Sequence, residues 1–335
     1  MGLVRGEEEA GRRAAGRRSA RGGLLRAPPL LLGNVAARPT PPPPPSLPPN
    51  PTPAQADQGT VDQTGPCGAS KPSSAAYVEE TNKGFAAAGL AGITIAISSG
   101  DSGAHGRTDG SCAKKATLPD WPTASPWILA IGATQLTGAT KIAAPTSPYC
   151  KKPDQGECAG AGTEVVASPA TGALIASGGG FSNVAPQPSY QAAAVAAYLK
   201  SGALLPTAAE FNATSRGYPD VAALGHNVLI YQQGADLPVD GTSCSAPMWG
   251  GVLGMANAAR LAAGKKVLGF VNPAIYQVAA STPAAFNDIT TGDNTCTEDG
   301  CKKGCSGFGA IAGWDATTGF GTPNIPTLVA ALAAL

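Results

Sequence analysis

Charge is what this 335-residue chain has least of. Asp, Glu, Lys and Arg together make up 13% of it, against about 25% in an ordinary domain. Its 23 basic and 22 acidic residues leave a formal net charge of +1, which excludes the basic profile of a nucleic-acid binder. Aromatic residues are at 5% and histidines number two. No run of 18 apolar residues occurs, so no membrane-spanning helix is expected. The eight cysteines include no paired Cys-x-x-Cys beside a histidine, so a zinc knuckle is not indicated. One further absence bears on chemistry. None of the glutamates is followed four residues later by an aspartate, so no helix face presents that pair of carboxylates.

What is present is glycine (44), proline (31) and an apolar fraction of 43%, enough for a real core. The near-zero charge hides a division. Residues 1–56 hold eight of the arginines and no lysine, against Glu7, Glu8 and Glu9, for a net of +5; residues 57–335 sum to −4. The first part is Arg/Gly/Ala-rich and then Pro-rich, with twelve prolines between Pro28 and Pro53. Such prolines favour an extended helix without internal hydrogen bonds. Leu24-Leu25 and Leu30-Leu31-Leu32 are split by Arg26 and two prolines, so no clear signal peptide is present. The expectation for 1–56 is a disordered basic tail or an incorrect gene start.

From about Val61 the pattern is α/β. Residues 77–89 have helical spacing with Gly89 as C-cap. Apolar runs at Ile93–Ile97, Trp127–Ala133 and Val228–Gln232 read as strands, and a small-residue helix, its Gly and Ala suited to close packing beneath a sheet, follows Gly241-Thr242-Ser243. Strands alternating with helices predict a parallel sheet covered on both faces. Cys67, Cys112, Cys150, Cys158, Cys244, Cys296, Cys301 and Cys305 sit in a charge-poor background that favours disulfides and an oxidising compartment. Cys150 and Cys158 are spaced to close a short loop. Asn212-Ala213-Thr214 is a glycosylation sequon, consistent with secretion.

The most specific local signal is Gly241-Thr242-Ser243-Cys244-Ser245-Ala246-Pro247 opening a helix. Free N–H groups and the positive dipole end there suit a nucleophile whose attack creates an oxyanion. An ordinary serine N-cap explains the same residues. With it come, in order, Ser98-Ser99-Gly100-Asp101-Ser102-Gly103, the run 122–134, Ser177-Gly178-Gly179-Gly180-Phe181-Ser182, the run 216–223, Asn287-Asp288-Ile289-Thr290 and the run 313–321.

This series, from Tyr77 to Asn324, resembles the sedolisin family of serine-carboxyl peptidases. The resemblance implies a subtilisin-like twisted parallel sheet with helices on both faces and C-terminal calcium-binding loops. It makes Ser243 the nucleophile and Asp101 the oxyanion-hole acid. A carboxyl that donates a hydrogen bond to an oxyanion must carry its proton, which ties such sites to acid solution. It makes Ser177, Gly178, Gly179 and Gly180 the strand that pairs with substrate backbone, the glycines leaving room for a peptide to approach. It implies one Ca²⁺ held by Asp288 and Asp315 and by the carbonyls of Ile311, Gly313 and Ile289. Relatives commonly have Gly-Pro-Gly where this chain has Ile311-Ala312-Gly313, which puts the backbone at a β-branched Ile311 in question. Arg216 and Asp220 match as a structural ion pair, Cys244 as a small buried hydrophobe, and Cys112 as a bridge to the C-terminal cysteines.

The family's base is a Glu and an Asp four apart on one helix, and that pair is the one absent here. Neither His105 nor His226 matches a catalytic position. The expected protein is a sedolisin-like peptidase domain over 57–335 lacking its N-terminal part. It would be an acid endopeptidase or tripeptidyl-peptidase with little activity as given, or a non-catalytic pseudopeptidase binding peptide and calcium. By family it would be secreted or lysosomal/vacuolar, a monomer acting on peptide or protein.

Overall fold

The structure, a computed structural model, describes residues 74–141 and 159–335. The basic tail, the boundary near residue 57 and Cys67, Cys150 and Cys158 lie outside the described residues.

The order of elements is α1 (Ser74–Leu90), β1 (Ala96–Ser98), β2 (Leu129–Lys141), β3 (Ala159–Val166), β4 (Gly180–Pro186), α2 (Ala192–Lys200), β5 (Ser215–Tyr218) and β6 (Val221–Leu224). Then follow β7 (Val228–Gln232), β8 (Ala235–Val239), α3 (Thr242–Ala262), α4 (Asn272–Ser281), β9 (Phe286–Asn287), β10 (Thr322–Pro323) and α5 (Ile325–Ala334). In the main sheet β2 pairs in parallel with β1 and with β6, and its distal half pairs antiparallel with β3.

Alternation along β2 distributes its side chains to two cores. Leu129 and Ile131 face α3, α4 and α5, where they meet Trp249, Leu253, Ile275 and Leu328. Ile128 and Ala130 face the other way, toward Tyr218 and Phe85 of α1. Helices therefore cover both faces, as the alternating pattern predicts. Among the described residues no helix is long and apolar enough to cross a membrane.

Three local expectations need correction. Helix α1 runs through Gly89 to Leu90 and is closed by Gly92, whose φ of 85° is open to glycine without cost. The Ile93 N–H reaching Ala88 O completes that turn at 2.9 Å and delays the strand until Ala96. Val228–Gln232 forms a strand, but in an antiparallel hairpin with β8, its Tyr231 exposed. In α3 the core contacts come from Trp249, Val252, Leu253 and Ala256. Gly250, Gly251 and Gly254 have open space where a side chain would stand, so they are not packing glycines.

Glu164 on β3 carries a pH dependence. Burial pushes its carboxyl above the usual range, partly offset by hydrogen bonds from Thr134 and Thr322. A carboxyl whose midpoint rises on folding contributes stability below the unfolded midpoint of about 4.3 and loses it as pH climbs toward the folded one. Glu164→Gln is expected to remove that slope. Thermal melts from acid to neutral pH check it: the gap between variant and wild type must widen in the variant's favour as pH rises.

Candidate active site

The loop after β1 and the start of α3 meet although 141 residues separate them in sequence. Asp101 Oδ1 accepts hydrogen bonds from Thr242 N at 2.8 Å and Thr242 Oγ1 at 2.7 Å, so its carboxylate caps α3 from outside the helix. Thr242 Oγ1 in turn accepts from Gly100 N at 3.2 Å. Ser243, the next residue, is exposed. Gly241, with φ 157° and ψ 144°, turns the chain into the helix. A side chain placed on it would stand 3.6 Å from Ser243 Cβ and 3.9 Å from Asp101 Oδ2. Ser243 and Asp101 thus border one small space at a helix N-terminus.

Two neighbours of this space carried no signal in the sequence. Arg107 reaches Asp101 Oδ2 with Nη2 at 3.4 Å. Asp240, three residues before Ser243, has its Oδ2 2.7 Å from His226 Nδ1 and accepts from Asn227 N and Leu174 N. Burial raises the Asp240 carboxyl, but these hydrogen bonds outweigh it and leave it below the usual range. His226 Nε2 lies 2.9 Å from Asn227 Nδ2, so both ring nitrogens are engaged in holding the hairpin and Leu174 around Asp240. Cys244 is a free, partly buried thiol, raised above its ordinary range by burial and by Asp101 and Asp240.

Ser177, Gly178, Gly179 and Gly180 are all buried. Side chains at Gly178 and Gly179 would collide with the backbone of Ser99 and Ala316, and one at Gly180 would press on the Phe308 ring. Ser177 Oγ donates to Thr317 O and accepts from Ala133 N. The missing side chains of Gly178 and Gly179 make room for this chain's own loops.

The C-terminal loops bring Asp288 and Asp315 together with residues 311–313. Asp315 is fully buried and accepts from Thr317 N and Oγ1, Thr318 N and Oγ1, and Ile311 N. Burial raises it to about 7 against those hydrogen bonds, and no cation pairs with it among the described residues. Asp288 Oδ2 accepts from Gly313 N at 2.7 Å, and burial raises its carboxyl also. The positive φ belongs to Gly313, at 89°, and not to Ile311, so the β-branched residue causes no strain there. Two carboxylates beside loop carbonyls, one of them buried without a counter-charge, fit a hard divalent cation.

Arg216 and Asp220 are fully buried and paired at 2.6 Å, and Cys112 bridges to Cys305. A second disulfide joins Cys296 to Cys301.

No family model matches the chain. Physarolisin of Physarum polycephalum is 47% identical over 287 residues, covering 84% of this chain and 47% of that protein. Tripeptidyl-peptidase 1 of Canis lupus familiaris is 37% identical over 262 residues, covering 77% of this chain and 40% of that protein. The chain therefore spans less than half the length of these relatives. Among solved structures, a Pseudomonas sedolisin, a serine-carboxyl proteinase complexed with pseudo-iodotyrostatin, superposes with a TM-score of 0.54 at 26% identity. That match covers 76% of this chain and 59% of the other. Sequence likeness across most of the described residues and a shared fold agree with the order of the motifs: the chain belongs to the sedolisin family.

Proposed function

We propose that the chain carries the nucleophile and oxyanion portion of a serine-carboxyl peptidase site that acts on peptide bonds in acid solution. The observation that carries this reading is the junction of Asp101 with Thr242 at the N-terminus of α3, beside the exposed Ser243. In the reaction Ser243 Oγ forms a bond to the scissile carbonyl carbon and gives up its proton. The carbonyl oxygen becomes an oxyanion, which a protonated Asp101 stabilises by donating to it; collapse then expels the amine with a proton.

The proton needs an acceptor. With no Glu-x-x-x-Asp among the 335 residues, and with His226 engaged at both nitrogens, Ser243 stays a weak nucleophile. The alternative reading is a non-catalytic pseudopeptidase that binds peptide and calcium. Purified protein is expected to cleave peptide substrates no faster than Ser243→Ala at about pH 3–5. Robust Ser243-dependent cleavage would overturn the baseless reading and reveal an unrecognised acceptor.

Calcium belongs to the same proposal, with Asp288 and Asp315 as carboxylate ligands and the Ile289, Ile311 and Gly313 carbonyls beside them. Bound there, the ion would supply counter-charge to Asp315 and brace the loop 311–318, whose Thr317 O receives Ser177 Oγ and whose Ala316 backbone packs on Gly179. The two disulfides support an oxidising location, secreted or lysosomal/vacuolar. The acting unit in this reading is a monomer.

A further inference from the structure

Arg107 lies in a short 3₁₀ helix, Arg107–Asp109, six residues past Asp101. Its guanidinium grips Glu298 at two points, Nε to Oε1 at 2.7 Å and Nη2 to Oε2 at 3.2 Å, and the same Nη2 reaches Asp101 Oδ2 at 3.4 Å. Glu298 is held in turn. It stands inside the six-residue loop that the Cys296–Cys301 disulfide closes. That loop is fastened to the Arg107 loop by Thr297 Oγ1 donating to Gly110 O at 2.8 Å, and the chain just before it by Ala104 N donating to Asn294 O at 3.2 Å. The Cys112–Cys305 disulfide ties the same two loops again.

The exposed end of Arg107 is therefore not a wandering surface charge. The oxygen it reaches matters too. Asp101 Oδ1 is committed to Thr242, whereas Oδ2 is the Asp101 oxygen nearest the space beside Ser243. An ionised Asp101 would repel an oxyanion formed in that space. A cation held on Oδ2 weakens that repulsion, by a modest amount because Glu298 shares its charge and the Arg107 side chain is 70% exposed.

We propose that Arg107 is a positioning residue of the oxyanion site: its guanidinium, clamped by Glu298 in the disulfide-closed loop, holds Asp101 Oδ2 and weakens its repulsion of a negatively charged tetrahedral group formed beside Ser243. This rests on the reading of Ser243 and Asp101 given above, and the experiment separates the two.

The probe is a tripeptide boronic acid, acetyl-Ala-Ala-boroPhe, titrated calorimetrically near neutral pH with boron NMR as a second readout. Ser243 Oγ forms a bond to boron, the hydroxyl proton leaves to buffer, and trigonal boron becomes a tetrahedral anion. No general base is required for that equilibrium, only for speed. Wild type is expected to bind, and Arg107→Gln to bind about fivefold more weakly, the size of a charge pair whose cation has a side chain 70% exposed. Added salt should weaken wild type more than Arg107→Gln, and Arg107→Lys should recover part of the loss.

In an Asp101→Asn background, where there is no charge to neutralise, Arg107→Gln should change affinity by less than about twofold. Arg107→Gln binding as tightly as wild type, or losing as much in the Asp101→Asn background, overturns the role of Arg107 while Ser243→Ala still abolishes binding. Wild type forming no tetrahedral boron, or Ser243→Ala forming it equally well, overturns the parent reading and this one with it.

Discussion

Replacing Asp220 with alanine is expected to cost about 3–5 kcal/mol of folding stability, the penalty for leaving one partner of a buried ion pair alone. Asp220 and Arg216 are both fully inaccessible. Asp220 Oδ2 takes Arg216 Nη2 at 2.6 Å, Ala130 N at 2.8 Å and Asn272 Nδ2 at 3.1 Å; Oδ1 takes Tyr276 OH at 2.9 Å. One carboxylate thus joins β2, the β5–β6 turn and α4. Burial alone would strip charge from Arg216, but the attraction of Asp220 outweighs it and holds the guanidinium more firmly charged than usual. Without Asp220 that charge keeps, among the described residues, the carbonyl partners Ser125 O and Gly217 O, and Ala130 N and the Tyr276 hydroxyl lose their acceptor while Asn272 Nδ2 keeps Ile128 O.

A loss of this size is a large fraction of the roughly 5–15 kcal/mol that holds a domain folded, so Asp220→Asn, which keeps the shape and part of the hydrogen bonding, serves as the milder variant. Denaturant midpoints at constant slope provide the measurement. The double change Arg216→Met with Asp220→Leu should recover much of the loss, because it removes the stranded charge as well as its partner. A cost below about 1 kcal/mol for Asp220→Ala would mean that water enters and that the pair is not the staple described here.

That pair was legible in the sequence only through its surrounding motif, and the same division runs through the molecule. The apolar run at 127–133 announces β2, and Gly241-Thr242-Ser243 announces the start of α3, because each is a local pattern. The joining of Asp101 to Thr242 is not local: it depends on two loops 141 residues apart arriving at one helix end. Arg107 and Glu298 are harder still, since their roles come from disulfide-closed loops and neither sits in an apolar pattern. The glycines of 178–180 are legible only in part: a glycine reports that something comes close, and the sequence does not show that Ser99, Ala316 and Phe308 of this chain do so. Val228–Gln232 shows the limit of apolar runs, which fix a strand but not its partner, and β8 captured it in a hairpin.

Calcium is expected to raise the melting temperature by roughly 10 °C once the free ion exceeds its dissociation constant about a thousandfold, from about 4 kcal/mol of linked stability. Asp315 has hydrogen bonds but, among the described residues, no cation, a costly arrangement for a fully buried carboxylate. A divalent ion supplies the missing charge, and Asp288, tied to Gly313 N, brings a second carboxylate to the same loop. Magnesium should act more weakly, since it holds its waters tightly and asks for a stricter geometry than irregular loop carbonyls provide. Asp315→Asn keeps the shape of the side chain and removes the charge, so it should abolish the calcium response, while its NH2 in place of Oδ2 forfeits the Ile311 N hydrogen bond and costs the calcium-free protein a little stability. Asp288→Asn, at an exposed ligand, should weaken the response and leave some of it. Melts in excess chelator and in excess calcium decide the matter. An equal calcium shift in wild type and Asp315→Asn would place any bound ion elsewhere, and no shift in wild type would leave Asp315 a buried carboxyl that keeps its proton.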